Sequence, residues 1–396
     1  MKKKVLFVMP GLYSGGAEKS LVNLLNLLDY SKLDVDLLLF KKEGLFINQV
    51  PSEVNILNIP ISLKYSYSPL DGDALKSFSA VKAGANRVIG TLFSRIRYGS
   101  NQKQMRWKIF YTRVIEKLEG HYDVAVAYLH GEASYYVIDK VCADKKILWV
   151  HNDYDKIDGE DAFYKAYFNK ADYVVSISTR CVEILQKVFP DISGKFCMLP
   201  NLTSSSFVKK MSGEYIPKEY ETDIPVLLSI GRLSRQKGFD YAIDAAALLK
   251  KAGYRFKWYV LGIGELQEEL ETRIQEKEVD DCFKLLGNRE NPYPYIKNCT
   301  IVVQSSRFEG KSVVLDEAKI LAKPIVVTNY ATVKDQITDG KEGLVVSMTP
   351  KGIADGIEKM LTDSALIQNI KEYLSAHEYG NQEEVQKYME LIEGRE

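Results

Sequence analysis

The feature that most constrains this chain is a recurring alternation of short, continuous apolar runs with helical stretches. Lys4–Pro10, Val35–Phe40, Val54–Ile59, Tyr122–Tyr128, Lys146–Val150 and Tyr173–Ser178 are runs of this kind. Such runs suit strands buried on both faces of a parallel sheet. Between the first two, Leu21, Leu24, Leu25 and Leu28 share one helical face. The pattern restarts at Pro225–Ile230 and continues through Lys257–Leu261, Phe283–Leu286, Thr300–Val303, Pro324–Val327 and Gly343–Val346. Helical stretches fall between them at Asp240–Lys251, Leu266–Lys277, Val313–Leu321 and Ile353–Leu361. The expected class is therefore α/β: two Rossmann-like, doubly wound domains in tandem.

At 396 residues the chain is also too long for one core. The boundaries read as residues 1–203, a polar linker at 204–222, a second domain at 223–375 and a C-terminal helix at 376–396. That helix is expected to pack back toward the first domain.

Composition excludes several classes. Lys+Arg and Asp+Glu both number 53, so no global nucleic-acid signature exists. No run approaches the ~18 consecutive apolar residues of a membrane span. The apolar stretch behind Lys2-Lys3-Lys4 is shorter than a signal peptide's ~7–15-residue hydrophobic region. Five scattered cysteines without CxxC spacing argue for reduced thiols and against a zinc site. A soluble, cytoplasmic protein is expected.

Charge is uneven. Residues 1–200 hold 27 basic and 22 acidic residues, leaving 26 and 31 for the remainder. Within 74–115 stand nine basic residues and no acidic one, interleaved with Phe78, Val88, Ile89, Leu92, Phe93 and Ile96. A basic amphipathic insertion of this kind suits an anionic membrane surface. The competing reading is a solvated helix with its apolar stripe on its own core.

Four constellations carry candidate chemistry. Gly231-Arg232-Leu233-Ser234-Arg235-Gln236-Lys237-Gly238 follows a buried strand and precedes a helix. In a doubly wound sheet ligands sit beyond the carboxyl ends of strands, where Arg232 and Lys237 could hold a diphosphate. Ser305–Ala318 places Glu309 beside Gly310, Lys311 and Ser312, and Glu317 eight positions later. Both carboxylates can accept sugar hydroxyls, although acids near a helix start also serve the macrodipole. Gly15-Gly16 opens the first helix, and Gly262-Ile263-Gly264 follows a strand without a full dinucleotide fingerprint. His151 ends a strand with Asp153 and Asp155 nearby; these residues could orient a sugar hydroxyl or, for the acids, hold a metal. His121, His130 and His377 suggest no role.

In this order the pieces resemble glycosyltransferase family 4, the retaining enzymes of the GT-B fold, whose two domains face a central cleft. The residues responsible are Gly231-Arg232, Gln236-Lys237-Gly238, Gly262 and Gly264, Phe308-Glu309-Gly310, Glu317-Ala318 and Lys323-Pro324, with Gly15–Glu18, Val175–Ser178 and Leu199–Asn201 upstream. The resemblance implies that Arg232 and Lys237 hold the donor's diphosphate and that Glu309, with Gly310, Lys311 and Ser312, takes the transferred sugar. It places Glu317 on the ribose, Asn288 near the base, Gly15 and Gly16 against the diphosphate, Gly231 and Gly264 around the donor, and His151 by the reacting sugar. It implies no metal and no cofactor beyond a nucleotide-sugar substrate, UDP-linked. The acceptor would be a saccharide or lipid-linked saccharide of capsule, exopolysaccharide or O-antigen assembly, at the inner membrane face. The chain departs from the family's pattern at Lys311-Ser312, where an aromatic and a small residue are common, and at Leu202, where glycine is usual. Competing readings on this architecture are a nucleotide-sugar 2-epimerase, a sugar phosphorylase, a metal-dependent transferase using Asp153 and Asp155, and a non-catalytic sugar-nucleotide-binding subunit.

Overall fold

A computed structural model describes all residues except 1, 14, 73, 99–101, 152, 153, 155, 156, 158, 159, 221, 222, 395 and 396, and the side chains of 75, 97, 98 and 102. Asp153 and Asp155 thus lie outside the described residues. The chain forms two units, residues 1–202 with 383–396 and residues 203–382.

The first unit contains β1 (Lys3–Met9), α1 (Gly16–Leu25), β2 (Leu33–Leu39), β3 (Asn55–Ile56), α2 (Ile61–Tyr67), α3 (Phe78–Tyr98), α4 (Gln102–Arg106), a π-helical turn at Trp107–Tyr111 and α5 (Thr112–Val114). It continues with β4 (Tyr122–Ala127), α6 (Glu132–Lys140), β5 (Ala143–Val150), α7 (Asp161–Phe168), β6 (Tyr173–Ser176), α8 (Thr179–Val188) and β7 (Phe196–Met198). All seven strands are parallel, in the order β3-β2-β1-β4-β5-β6-β7. The apolar run of β1 explains its central place. Val5, Phe7 and Met9 enter one core layer with Leu21 and Leu25 of α1, while Leu6 and Val8 enter the other with Leu63 and Trp107. A strand with cores on both faces has no polar side to present, which is why the sequence shows no alternation.

The second unit contains α9 (Ser205–Met211), β8 (Val226–Ile230), α10 (Phe239–Lys251), β9 (Lys257–Leu261), α11 (Gln267–Glu276), β10 (Phe283–Gly287), α12 (Tyr293–Asn298), β11 (Ile301–Gln304), α13 (Val313–Ile320), β12 (Ile325–Thr328), β13 (Gly343–Val346), α14 (Pro350–Thr362) and α15 (Ser364–Ser375). Its parallel sheet runs β10-β9-β8-β11-β12-β13. In each sheet the order reverses beside its first strand, and the pair β8–β11 is that switch point in the second unit.

The polar stretch 204–222 is not a bare connection. Ser204 Oγ accepts the Phe207 N–H at 3.2 Å and so caps α9. Val208 and Tyr220 join the second unit's core, where Tyr220 stacks on Tyr259. Few apolar anchors among many serines hid this order from the sequence pattern.

The C-terminal helix α16 (Val385–Glu393) returns to the first unit. Tyr388, Met389 and Ile392 complete the core layer around α1. Tyr388 stacks on Trp149 at a 5.6 Å centroid distance and donates to the Pro200 carbonyl at 2.7 Å. No helix among the described residues is long and apolar enough to cross a membrane. Tyr388→Ala is expected to remove about 3–5 kcal/mol from the first unit. Urea unfolding followed by far-UV circular dichroism measures it; an unchanged midpoint would contradict this packing.

Candidate active site

Two loops meet at the switch point of the second unit. One leaves β8 at Gly231, tightens into a 3₁₀ turn at Arg235–Lys237 and enters α10 through Gly238. Gly238 has φ +64°, and a Cβ there would lie 2.2 Å from the Ser305 carbonyl oxygen, so only glycine permits this close approach. The other loop leaves β11 at Gln304 and enters α13 after Ser312.

Lys237 Nζ and Glu309 Oε1 pair across the loops at 2.6 Å, and both side chains are largely buried. Ser306 Oγ donates to the same carboxylate oxygen at 2.7 Å, and Gln236 Nε2 donates to the other at 3.2 Å. Thr332 Oγ1 holds the Glu309 carbonyl at 2.8 Å. The stem of Lys237 lies over Gly231, where a Cβ would meet Lys237 Cε at 2.9 Å.

Arg307, which sequence reasoning left without a role, joins the loops behind this pair. Its backbone N–H donates to the Gln236 carbonyl and its Nη1 to the Arg235 carbonyl, each at 2.7 Å. The guanidinium also grips Asp240 with two bonds of 2.9 and 2.6 Å and lies 4.1 Å from the centroid of the Tyr241 ring. Burial alone would raise the Asp240 pKa; the Arg307 pair instead holds it below the ordinary value. The signal for Arg307 was its place at a strand end beside Glu309.

Arg232 is exposed, and its guanidinium makes no hydrogen bond or ion pair with any described residue. Lys311 is exposed and reaches Asp316 at 3.4 Å. Ser312, expected near the donor sugar, has its hydroxyl turned inward to Gln304 Oε1 at 2.7 Å, and its backbone is bracketed by Gln336. Glu317 is fully buried on α13 beside Tyr293 of α12. Burial and this neighbouring carboxylate push the Tyr293 phenol well above its usual pKa. Glu317, placed on the ribose by the family resemblance, is enclosed between these helices. Asn288, after β10, accepts from Arg289 Nη1 at 3.1 Å through its carbonyl, and Arg289 is anchored by Glu219.

The glycines divide by steric demand. At Gly262 (φ +148°) a Cβ would lie 1.9 Å from the Gly231 carbonyl oxygen, and at Gly264 one would lie 2.3 Å from that of Leu233. These two serve backbone packing between the loops after β8 and β9. Around Gly310 and Gly16 no atom of a described residue lies within 4 Å of the missing Cβ. Their smallness answers no need of the protein's own packing, which leaves space for a ligand to approach the main chain. Gly15 is the N-cap of α1.

In the first unit His151 follows β5. Its Nε2–H donates to the Tyr128 carbonyl at 2.9 Å, and its Nδ1 has no hydrogen-bond partner among the described residues. Because the carbonyl can only accept, the ring is the neutral Nε2–H tautomer. Burial, with nearby His130 adding to it, depresses its pKa from 6.5 to about 3. A neutral imidazole with one bare nitrogen is an acceptor, suited to orienting a hydroxyl. No cluster of three or more metal-ligating side chains occurs among the described residues.

Residues 214–377 match the family model described as Glycosyl transferases group 1. An uncharacterized glycosyltransferase, MJ1059, of Methanocaldococcus jannaschii is 28% identical over 198 residues, 48% of this chain and 49% of that protein. The N-acetylgalactosamine-N,N'-diacetylbacillosaminyl-diphospho-undecaprenol 4-alpha-N-acetylgalactosaminyltransferase of Campylobacter jejuni is 27% identical over 248 residues, 62% of this chain and 66% of that protein. The chain spans less than two thirds of the length of either relative. Further relatives are named for capsular polysaccharide and lipopolysaccharide core biosynthesis. The crystal structure of Anabaena Alr3699/HepE in complex with UDP and glucose superposes with a TM-score of 0.66 at 16% identity, covering 99% of this chain and all of that one. Residues 214–377 therefore resemble a Glycosyl transferases group 1 domain, and the fold is GT-B.

Gly262→Ala should cost at least about 1–3 kcal/mol, from a strained φ and a backbone clash. Gly310→Ala should change stability by less than about 0.5 kcal/mol. Urea midpoints separate the two, and equal values would refute the division of the glycines. For His151 the folded pKa lies below the unfolded one, so the unfolded chain takes up the proton first as pH falls. Its contribution is complete above about pH 6.5 and is lost toward about pH 3, at up to about 1.4 kcal/mol per pH unit. Urea midpoints at pH 7, 5.5 and 4.5 should therefore fall less steeply for His151→Gln than for the unmodified chain.

Proposed function

We propose that this chain is a retaining glycosyltransferase that moves a hexosyl group from a UDP-linked sugar to a lipid-linked saccharide acceptor in capsule, exopolysaccharide or O-antigen synthesis. The observation that carries this reading is the Lys237–Glu309 pair, which fixes a cation at the switch point of the second unit. The group 1 domain match and the relatives named as transferases support it, and they do not favour an epimerase or a phosphorylase. The UDP-bound neighbour supports the donor class, and the diphospho-undecaprenol relative supports a lipid-linked acceptor taken by the first unit.

The chemistry follows from charge. Breaking the glycosidic bond to a diphosphate builds negative charge on the leaving group while the sugar becomes oxocarbenium-like. Fixed positive charge stabilises that state more than the ground state. Lys237 already faces Glu309, so this pair adds little net charge. Arg232, exposed and unpaired among the described residues, supplies the uncompensated cation and a planar fork for phosphate oxygens. Lys237 supplies a preorganised donor that need not move when charge develops. Glu309, held at both oxygens, orients the sugar hydroxyls. In this reading the acceptor attacks from the face the leaving group departs, a phosphate oxygen takes its proton, and configuration is retained. The neutral His151 positions a sugar hydroxyl through Nδ1. No metal takes part, so transfer should persist in EDTA.

The test is thermal and chemical unfolding with UDP, UDP-glucose and UDP-N-acetylglucosamine. A cognate ligand at 100 times its dissociation constant should add about 2.7 kcal/mol to stability. Lys237→Ala should abolish that gain. Arg232→Ala and Lys237→Ala should each lower kcat by about 10²–10³-fold, on the precedent of lost oxyanion donors. A chain that responds to no nucleoside diphosphate sugar, or whose alanine variants keep full rate, would overturn the proposal.

A further inference from the structure

Helix α3 is inside out. Over 21 residues it buries its small side chains and displays its large apolar ones. Ala80, Ala83 and Ser94 are fully enclosed, and Gly84 and Gly90 lie on the same buried side. Those glycines set the packing distance: a Cβ at Gly84 would lie 2.6 Å from Leu70 Cδ2, and one at Gly90 would lie 3.0 Å from the Phe110 ring. The opposite face carries Phe78, Val81, Val88, Ile89, Leu92 and Ile96, spaced at three, four and seven residues. Phe78 and Ile96, at its two ends, are each 86% exposed. A helix serving only its own core would show the reverse arrangement. The competing reading, with the apolar stripe on the helix's own core, does not match this arrangement: what packs inward is the row of small residues.

An exposed apolar stripe this long needs an occupant. Its charged surroundings say which. Lys76, Lys82, Arg95, Lys103, Lys108 and Arg113 are exposed around it, and 74–115 contains no acidic residue. A second copy docking through the same stripe would bring two such basic rims together at a repulsive cost. An anionic bilayer instead meets both requirements, taking apolar side chains below its headgroups and basic ones among them.

We propose that the exposed face of α3 is a docking surface for anionic lipid bilayers, with Phe78, Ile89, Leu92 and Ile96 entering the acyl boundary and Lys82 and Arg95 contacting headgroup phosphates. As a purpose, the docking rests on the reading that the acceptor is lipid-linked; as a binding event it does not. The helix lies in the interface plane and does not span it, since Lys82, Arg87 and Arg95 punctuate it.

The test is co-sedimentation of the full chain with phosphatidylcholine vesicles, with and without phosphatidylglycerol. The unmodified chain should bind the phosphatidylglycerol vesicles and release as salt rises. Ile89→Ser/Leu92→Ser/Ile96→Ser removes only exposed groups and should weaken partitioning by at least about tenfold. Lys82→Gln and Arg95→Gln should each weaken it about fivefold, the equivalent of ~1 kcal/mol per surface charge. Circular dichroism and unchanged urea midpoints establish that the variants are folded. Absent binding, or equal binding to neutral vesicles, overturns the proposal, as does a dimer in sedimentation equilibrium that the triple variant dissolves. The same preparations are melted with UDP-sugars. A retained nucleotide response without vesicle binding defeats the docking surface alone, and vesicle binding without any nucleotide response defeats the transferase reading alone.

Discussion

The second unit depends on one costly arrangement, a largely buried ion pair between Lys237 and Glu309. Removing two charges from water is unfavourable unless hydrogen bonds compensate, and here Ser306 and Gln236 donate to the carboxylate while Gly231 makes room for the lysine stem. The compensation is available because β8 and β11 are neighbours whose following loops meet. Arg307 then welds those loops together from behind through Asp240, Tyr241 and two backbone carbonyls. Removing either member of the pair would leave the other charge buried without its partner, a more damaging outcome than replacing both.

The second sheet repeats the order of the first six strands of the first, but the charge at the strand ends differs. In the second unit the loop ends carry charge that is paired, braced and half enclosed. In the first, the His151 ring after β5 is itself neutral, with burial suppressing its protonation and a backbone carbonyl selecting the tautomer.

Much of this was legible in the sequence because its signals are local. Continuous apolar runs announced buried parallel strands, and the order of Gly231, Lys237, Glu309 and Glu317 marked the strand ends that carry chemistry. What stayed hidden depends on direction or distance. The composition of 74–115 showed bulk and charge but not which side of α3 faces out. Glu317 was visible as an acid, whereas its enclosure beside Tyr293 requires the packing of α12 on α13. Gly262, Gly264 and Gly310 look alike in a string of letters, and only their neighbours separate backbone clash from open space. Residues 204–222 seemed a tether because Val208 and Tyr220 are too few to create a pattern. Arg307 acts through Asp240, 67 positions away.

The return of α16 has a consequence for biogenesis. The aromatic surface formed by Tyr128 and Trp149 stays uncovered until Tyr388 arrives, after the whole of residues 203–382 has been made. At ~5–20 residues per second, that interval is on the order of ten to forty seconds on the ribosome. A nascent chain in this interval exposes an unfinished greasy seam, and a stop codon just before α16 would leave the seam open for good.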